Sequence, residues 1–311
     1  MPSCSAVVIG DALIDEIDSP HGSIDYVEGA GLNVAVGLAR LGIAVTLIAV
    51  IGDDNGGRSI RAFLQDHHVS LLATIGELGT SRAVSRRING EPSYSFNPAA
   101  VRREVQYGEA EQQALAAADV VVISSFPFDN PGQVAQLEAA VPEPRSRLIV
   151  DPNPRPALLR DARAFTSNFE RIAARSLLTK ISEEDAVLLG AADATAMADA
   201  LLLAGAGHVL ATTGSAGAFI ATAAGLRISQ PVAVLPGPVI DTMGAGDATL
   251  ASTVKDLLAE IPATSLLWMD LLTSAMAVAA ATCRSHGALL QIPHSDEPAT
   301  DNTPHPAEVT P

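Results

Sequence analysis

Asp241-Thr242-Met243-Gly244-Ala245-Gly246-Asp247-Ala248 follows an apolar approach at 232–240 and opens a helical pattern over 245–259. A glycine-rich turn that feeds a helix leaves backbone N–H groups unpaired at the positive end of the helix dipole, which makes this stretch an anion site. Asp247 does not suit that role alone. A carboxylate inside such a helix start makes sense as a base that takes a proton from an attacking hydroxyl, although a plain capping role would use the same residue.

Working outward, short β-branched runs at 6–9, 45–51, 120–123, 148–150, 176–179, 208–212 and 218–221 alternate with helical patterns. Those patterns cover 33–41, 57–67, 109–117, 132–140, 183–189, 193–204, 245–259 and 266–284. This alternation predicts an α/β fold of parallel strands joined by crossover helices, with both faces of the sheet covered. Two segments break the rhythm. Residues 80–101 alternate polar and apolar around Asn89-Gly90, which predicts a β-hairpin and no helix, and residues 15–28 are polar where a crossover helix is expected. Together they predict a small sheet standing off the main one. Residues 1–292 then form one domain, and 293–311, rich in Pro, Thr, Asp and His, form a mobile tail.

Composition narrows the function. With 48% hydrophobic and 17% charged residues among 311, the chain has too much apolar mass for general disorder. Lys+Arg 19 against Asp+Glu 35 leaves a net charge of −16, which repels a nucleic-acid backbone, and the basic stretches 82–87 and 102–103 lack interleaved aromatics. Cys4 and Cys283 cannot build a disulfide framework or a zinc site, as suits a reducing cytoplasm. No secretion signal or membrane span is expected, and the Ala-rich stretch 271–283 reads as a packing helix. Rival phosphate motifs fail: no Gly-x-x-x-x-Gly-Lys-Ser/Thr occurs, Lys180 and Lys255 are the whole lysine complement, and Gly10-Asp11-Ala12-Leu13-Ile14-Asp15 lacks a dinucleotide fingerprint.

The stretch 241–248 resembles the C-terminal signature, D-T-x-G-A-G-D, of the PfkB family of sugar kinases, the ribokinase-like proteins. Gly10 to Asp15 resembles that family's first-strand motif, and Glu28-Gly29-Ala30-Gly31-Leu32-Asn33 its G-G-x-G-x-N. Gly52-Asp53-Asp54-Asn55-Gly56-Gly57 is similar to G-D-D-x-x-G, and Thr212-Thr213-Gly214-Ser215-Ala216-Gly217 to T-x-G-x-x-G. The turn Asp151-Pro152-Asn153-Pro154-Arg155 resembles that of fructokinase-like and 2-keto-3-deoxygluconate kinase-like members, and the combination is most similar to bacterial fructokinases.

This resemblance implies a Rossmann-like core with a β lid and transfer of the γ-phosphoryl of ATP·Mg²⁺ to a sugar, first fructose. The alternatives are 2-keto-3-deoxygluconate, ribose or a nucleoside, or a regulatory protein that binds sugar without turnover. Asp247 becomes the base, with Gly244, Ala245 and Gly246 as the anion turn. Asp15, Gly29, Asn33 and Arg155 face the sugar, and Ser182, Thr212, Gly214 and Gly217 the nucleotide. Asp241 and Thr242 frame a K⁺ site, and a homodimer through the lid is implied. Tyr26, Tyr94 and Phe96 are placed to cover a substrate. Two departures stand out. Glu28 occupies a family glycine, and Ser182-Glu183-Glu184-Asp185 replaces N-x-x-E, so a metal-bound water falls either to Asp185 with Ser182 or to Glu184, unless these acids are only a helix's first turn.

Overall fold

The computed structural model describes residues 4–19, 22–88, 91–141 and 148–293. The chain opens with β1 (Ser5–Gly10), β2 (Leu13–Ser19), β3 (Gly22–Glu28), α1 (Ala30–Arg40), β4 (Ala44–Ile51), α2 (Asn55–Asp66), β5 (Ser70–Ile75), β6 (Arg82–Ile88) and β7 (Glu91–Phe96). It continues through α3 (Pro98–Val101), α4 (Glu109–Ala117), β8 (Val120–Ser124), α5 (Pro131–Ala140), β9 (Leu148–Asp151), α6 (Ala162–Ala173), β10 (Leu178–Ser182), α7 (Glu183–Leu188) and α8 (Ala194–Ala204). β11 (His208–Thr212), β12 (Ala218–Thr222), β13 (Arg227–Gln230), α9 (Ala245–Ala259) and α10 (Ser265–Thr282) complete it.

β1 organises the large sheet because its side chains are buried on both faces. Ala6 and Val8 join a core with Leu32, Leu250 and Leu272, while Val7 and Ile9 join another with Leu115, Leu137 and Phe169. The strand order is β13-β12-β11-β10-β9-β8-β1-β4-β5, parallel from β11 to β5 and antiparallel over β12 and β13. Strand order reverses between β1 and β8, so their carboxyl ends open a crevice suited to a ligand. A four-stranded sheet, β3-β2-β6-β7, stands beside that crevice.

The α/β expectation and the small sheet from 15–28 and 80–101 both hold, the two segments joining within that sheet through parallel β2 and β6. Several details differ. α3 lies inside 80–101, where no helix was expected, because Asn97 accepts from Ala100 N and Pro98 suits a first helical turn. α6, β5 and β13 also lay unread in the sequence. α6 is amphipathic, with Phe165, Phe169 and Ile172 on its buried face and Asp161 capping its start. β13 is a four-residue edge strand too short and polar to stand out. β10 lies two to three residues later than the run 176–179, which carries Lys180 into the sheet. The Asn89-Gly90 turn and all but the first residue of the tail at 293–311 lie outside the described residues.

α10 is long and apolar enough to cross a membrane by length and composition. Here it packs on the core through Trp268, Leu271, Leu272, Ala275 and Met276, as the packing-helix expectation required.

Candidate active site

Gly244 starts α9 in the left-handed region, at φ 73, and a Cβ there would lie 1.9 Å from the carbonyl oxygen of Ala288. Only glycine fits. The approach is braced by Asp241, whose Oδ1 accepts from Met243 N at 2.9 Å and whose own N–H donates to the Cys283 carbonyl. No side chain caps α9, and the N–H groups of Gly246 and Asp247 have no partner among the described residues. They present open donors at a positive dipole end.

Asp247 is the acid of that first turn. Asn33 Nδ2, from the first turn of α1, donates to Asp247 Oδ2 at 2.9 Å. Burial pushes the Asp247 carboxyl up to about 7, against the opposing pull of Lys180 and of the Asn33 hydrogen bond. A carboxyl that titrates near neutrality is suited to take and return a proton.

Beneath the turn lies a lysine. Lys180, on β10, is buried and its Nζ is 3.0 Å from Asp151 Oδ2 at the end of β9. A Cβ on Gly246 would sit 3.3 Å from that Nζ, so the ammonium rests directly against the anion turn. Burial disfavours its charge, but Asp151, Asp185 and Asp247 together hold its pKa above the ordinary value. Asp151 Oδ1 is buried without a partner.

The other wall of the crevice is made by β2, β3 and the start of α1. Asp15 is 5% exposed, and its Oδ1 has no hydrogen-bond partner. Asn33 Oδ1 is likewise buried and unpartnered, so two oxygens are left for a ligand's hydroxyls. Gly29 begins α1 at φ 132, and a Cβ there would meet the Asp11 carbonyl oxygen at 2.7 Å. Asp11 itself is tied by Gly31 N, Ser125 Oγ and the partly exposed Arg103. Arg155 is exposed on the proline-rich turn after β9 and acts electrostatically on both Asp247 and Arg103.

At the far side, Ser182 pairs in register with Thr212 at the ends of β10 and β11, and the turn containing Gly214 and Gly217 follows. Gly217 is required: a Cβ would lie 2.1 Å from the Gln230 carbonyl oxygen. Ser182 and Asp185 form a capping box, Ser182 Oγ accepting from Asp185 N at 3.0 Å and Asp185 Oδ2 from Ser182 N at 2.8 Å. Asp185 is buried toward Lys180 and Asp151, whereas Glu184 is exposed and Glu183 accepts from Ala194 N. Ser182 and Asp185 therefore have a structural duty in capping α7, and of the two acids weighed, Asp185 faces the site.

The model of one family, described as pfkB family carbohydrate kinase, matches residues 8–295. The chain belongs to the pfkB family of carbohydrate kinases. A fructokinase from Salmonella typhimurium is 29% identical over 307 residues, covering 92% of this chain and 95% of that protein. An aminoimidazole riboside kinase from the same species is 26% identical, covering 93% and 92%. Among solved structures, a double-mutant fructokinase from Vibrio cholerae O395, bound to fructose, ADP and potassium ion, superposes with a TM-score of 0.73 at 22% identity, covering 92% and 94%. The protein is thus a sugar kinase, a phosphotransferase with the ribokinase-like fold.

Two residues of this pfkB kinase escaped the sequence reading. Lys180 stands in no phosphate motif of the sequence, yet β10 delivers it to the glycine turn at the start of α9. A lysine inside a short strand of a chain that has only Lys180 and Lys255 is the available signal. Arg103 lay in a basic pair and gave none. Asp54, within the glycine-rich motif at 52–57, accepts from Gly57 N and Thr80 N and so fastens α2 to the root of the small sheet.

Proposed function

We propose that this kinase transfers the γ-phosphoryl group of ATP to a hydroxyl of a ketose, with fructose as the leading acceptor. The observation that carries this reading is Asp247, held by Asn33 at the mouth of an uncapped helix N-terminus. Asp15, Asn33 and the backbone of Gly29 would receive the sugar, with Arg155 closing over it or over the transferring phosphoryl group. Ser182, Thr212, Gly214 and Gly217 would line the nucleotide. The acceptor oxygen forms a bond to Pγ as the bond from Pγ to the β,γ-bridging oxygen breaks; the hydroxyl proton passes to Asp247 and ADP leaves. Amides of Gly244 to Asp247, with Lys180 behind them, would stabilise the charge on the equatorial oxygens.

Magnesium would neutralise phosphate charge. No group of three or more His, Cys, Asp or Glu among the described residues could hold a metal, which fits an ion carried on the phosphates, with Asp185 reaching it through water. Asp241 and Thr242 would frame a K⁺ site, as the potassium-bound relative suggests. Free Cys4 and Cys283 suit a cytoplasmic enzyme, and the exposed Ile24 and Tyr26 of the small sheet suit a homodimer through it. The test is coupled ADP release over fructose, ribose, adenosine and 2-keto-3-deoxygluconate, with Asp247→Asn alongside. Of these four, fructose should be turned over best, and it should lose roughly 10²-fold or more of kcat in the variant. A preference for the keto-acid that collapses in Arg155→Ala would overturn fructose, and no turnover at all would favour a sugar-binding regulator.

A further inference from the structure

Glu28 ends β3 immediately before Gly29, and its register partner on β2 is Leu13, with Asp15 opposite Tyr26. Alternation along the strands puts Leu13, Asp15, Tyr26 and Glu28 on one face of the small sheet, the face that carries the buried Asp15 into the crevice. Asp15, Asp241 and Asp247 all act on the Glu28 carboxyl. Lys180 and Arg155 balance Asp247, but among the described residues no cation acts on the Glu28 carboxyl and no hydrogen bond reaches it. A carboxyl half-buried among three others without a counter-charge is costly for the folded chain alone. Burial and these acids push it up to about 7.

Two further oxygens belong to the neighbours of these acids, Asp15 beside Glu28 and Asn33 beside Asp247. Asp15 Oδ1 and Asn33 Oδ1 are buried without partners, and both can only accept. Around Glu28 the crevice is therefore rich in acceptors and negative charge, and Arg155 acts on Asp247 and not on Glu28. What would satisfy it is a group with several N–H donors and a positive charge.

Resting on the kinase reading above, in which fructose leads the uncharged sugars and 2-keto-3-deoxygluconate, we propose that Glu28 selects the charge of the acceptor. An amino group added to the sugar improves it over fructose, its ammonium sitting against Glu28 and Asp15, and sugar acids and sugar phosphates are rejected. The reaction is unchanged: a sugar hydroxyl oxygen gains the phosphoryl group, its proton goes to Asp247, and ADP leaves. The ammonium only positions the sugar.

The experiment measures kcat/KM at pH 8, where Glu28 is ionised, for fructose, 1-amino-1-deoxyfructose, glucosamine and 2-keto-3-deoxygluconate. Wild type, Glu28→Gln and Glu28→Gly are compared by ADP release. In wild type, at least one amino sugar should exceed fructose by on the order of tenfold, mainly through KM, and the keto-acid should fall below fructose. Glu28→Gln, which keeps the volume and removes the charge, should bring the amino and neutral sugars within about twofold. Glu28→Gly should do the same and raise turnover of the keto-acid. Ratios that are the same in all three proteins would overturn the selection while leaving the kinase reading intact. A wild type that prefers fructose or the keto-acid to both amino sugars would also overturn it. Absence of ADP release on every sugar would instead overturn the kinase reading itself.

Discussion

Replacing Lys180 by methionine should move the acidic limb of the pH profile of kcat/KM upward. Asp247 titrates at about 7 because burial raises it and Lys180 is the largest influence holding it down. The ammonium lies 3.3 Å from the point a Gly246 side chain would occupy, one residue before the base. An opposite charge at about 4–6 Å lowers a carboxyl by roughly 1–3 units, so its loss raises Asp247 by that much. A shift of about one unit takes the ionised fraction at pH 7 from about one half to about one tenth, a roughly fivefold fall; about two units gives roughly fiftyfold. Activity should recover near pH 9. Methionine alone strands Asp151 in a buried site at a cost of about 3–5 kcal/mol, so Lys180→Met/Asp151→Asn is the cleaner protein. Removing Asp151 lowers Asp247 again, but by less than the lost lysine raises it. The assay is ADP release from pH 5.5 to about 9.5 at constant ionic strength, with thermal unfolding at each pH. An acidic limb in the folded double variant that superimposes on wild type would refute this role for Lys180.

Gly244→Ala should destabilise the chain by at least ~2 kcal/mol and abolish ADP release, since φ 73 and the 1.9 Å approach to Ala288 exclude a side chain; an unchanged Tm with normal kcat would show that the turn can repack. The raised carboxyls of Glu28 and Asp247 hold protons in the folded state that the unfolded chain, with ordinary values of 4.5 and 3.8, has already released. They therefore weaken the fold as pH rises from about 4 through about 7. Glu28→Gln/Asp247→Asn should gain Tm over wild type between pH 5 and 8, while His67 and His208, lowered by burial, act alike in both proteins. A constant Tm difference across that range would contradict the assignment. K⁺ should raise kcat over tetramethylammonium at matched ionic strength, and Asp241→Asn should remove the difference; equal rates in wild type would delete the cation site.

Much of the candidate site is legible in the sequence because its parts are local. Gly244 and Gly246 signal a helix start by composition, and Asp247 is conspicuous there because a carboxylate opposes the anion the turn invites. Gly29, Gly31 and Gly10 are likewise legible: each lets backbone approach backbone, as the 2.7 Å separation of a Gly31 Cβ from Gly10 Cα requires. The polar alternation at 15–28 and 80–101 was enough to foresee a second sheet. The capping box of Ser182 and Asp185 was hidden in plain view, since the same spacing serves a helix end and a metal-bound water.

The α/β class, the glycine turn at 244–246 and the candidate base Asp247 follow from the sequence by itself, because helix starts, glycine conformations and strand periodicity are properties of residues close along the chain. Which charges meet does not. Lys180 and Asp151 are 29 residues apart and touch only because β9 and β10 are neighbours in register, and Asn33 reaches Asp247 across 214 residues. Glu28 is a lone substitution in a glycine motif until the small sheet turns it toward Asp15, Asp241 and Asp247. Electrostatic interaction depends on distance through space and on burial, and both are set only when the strands have been ordered and the crevice between β1 and β8 has formed.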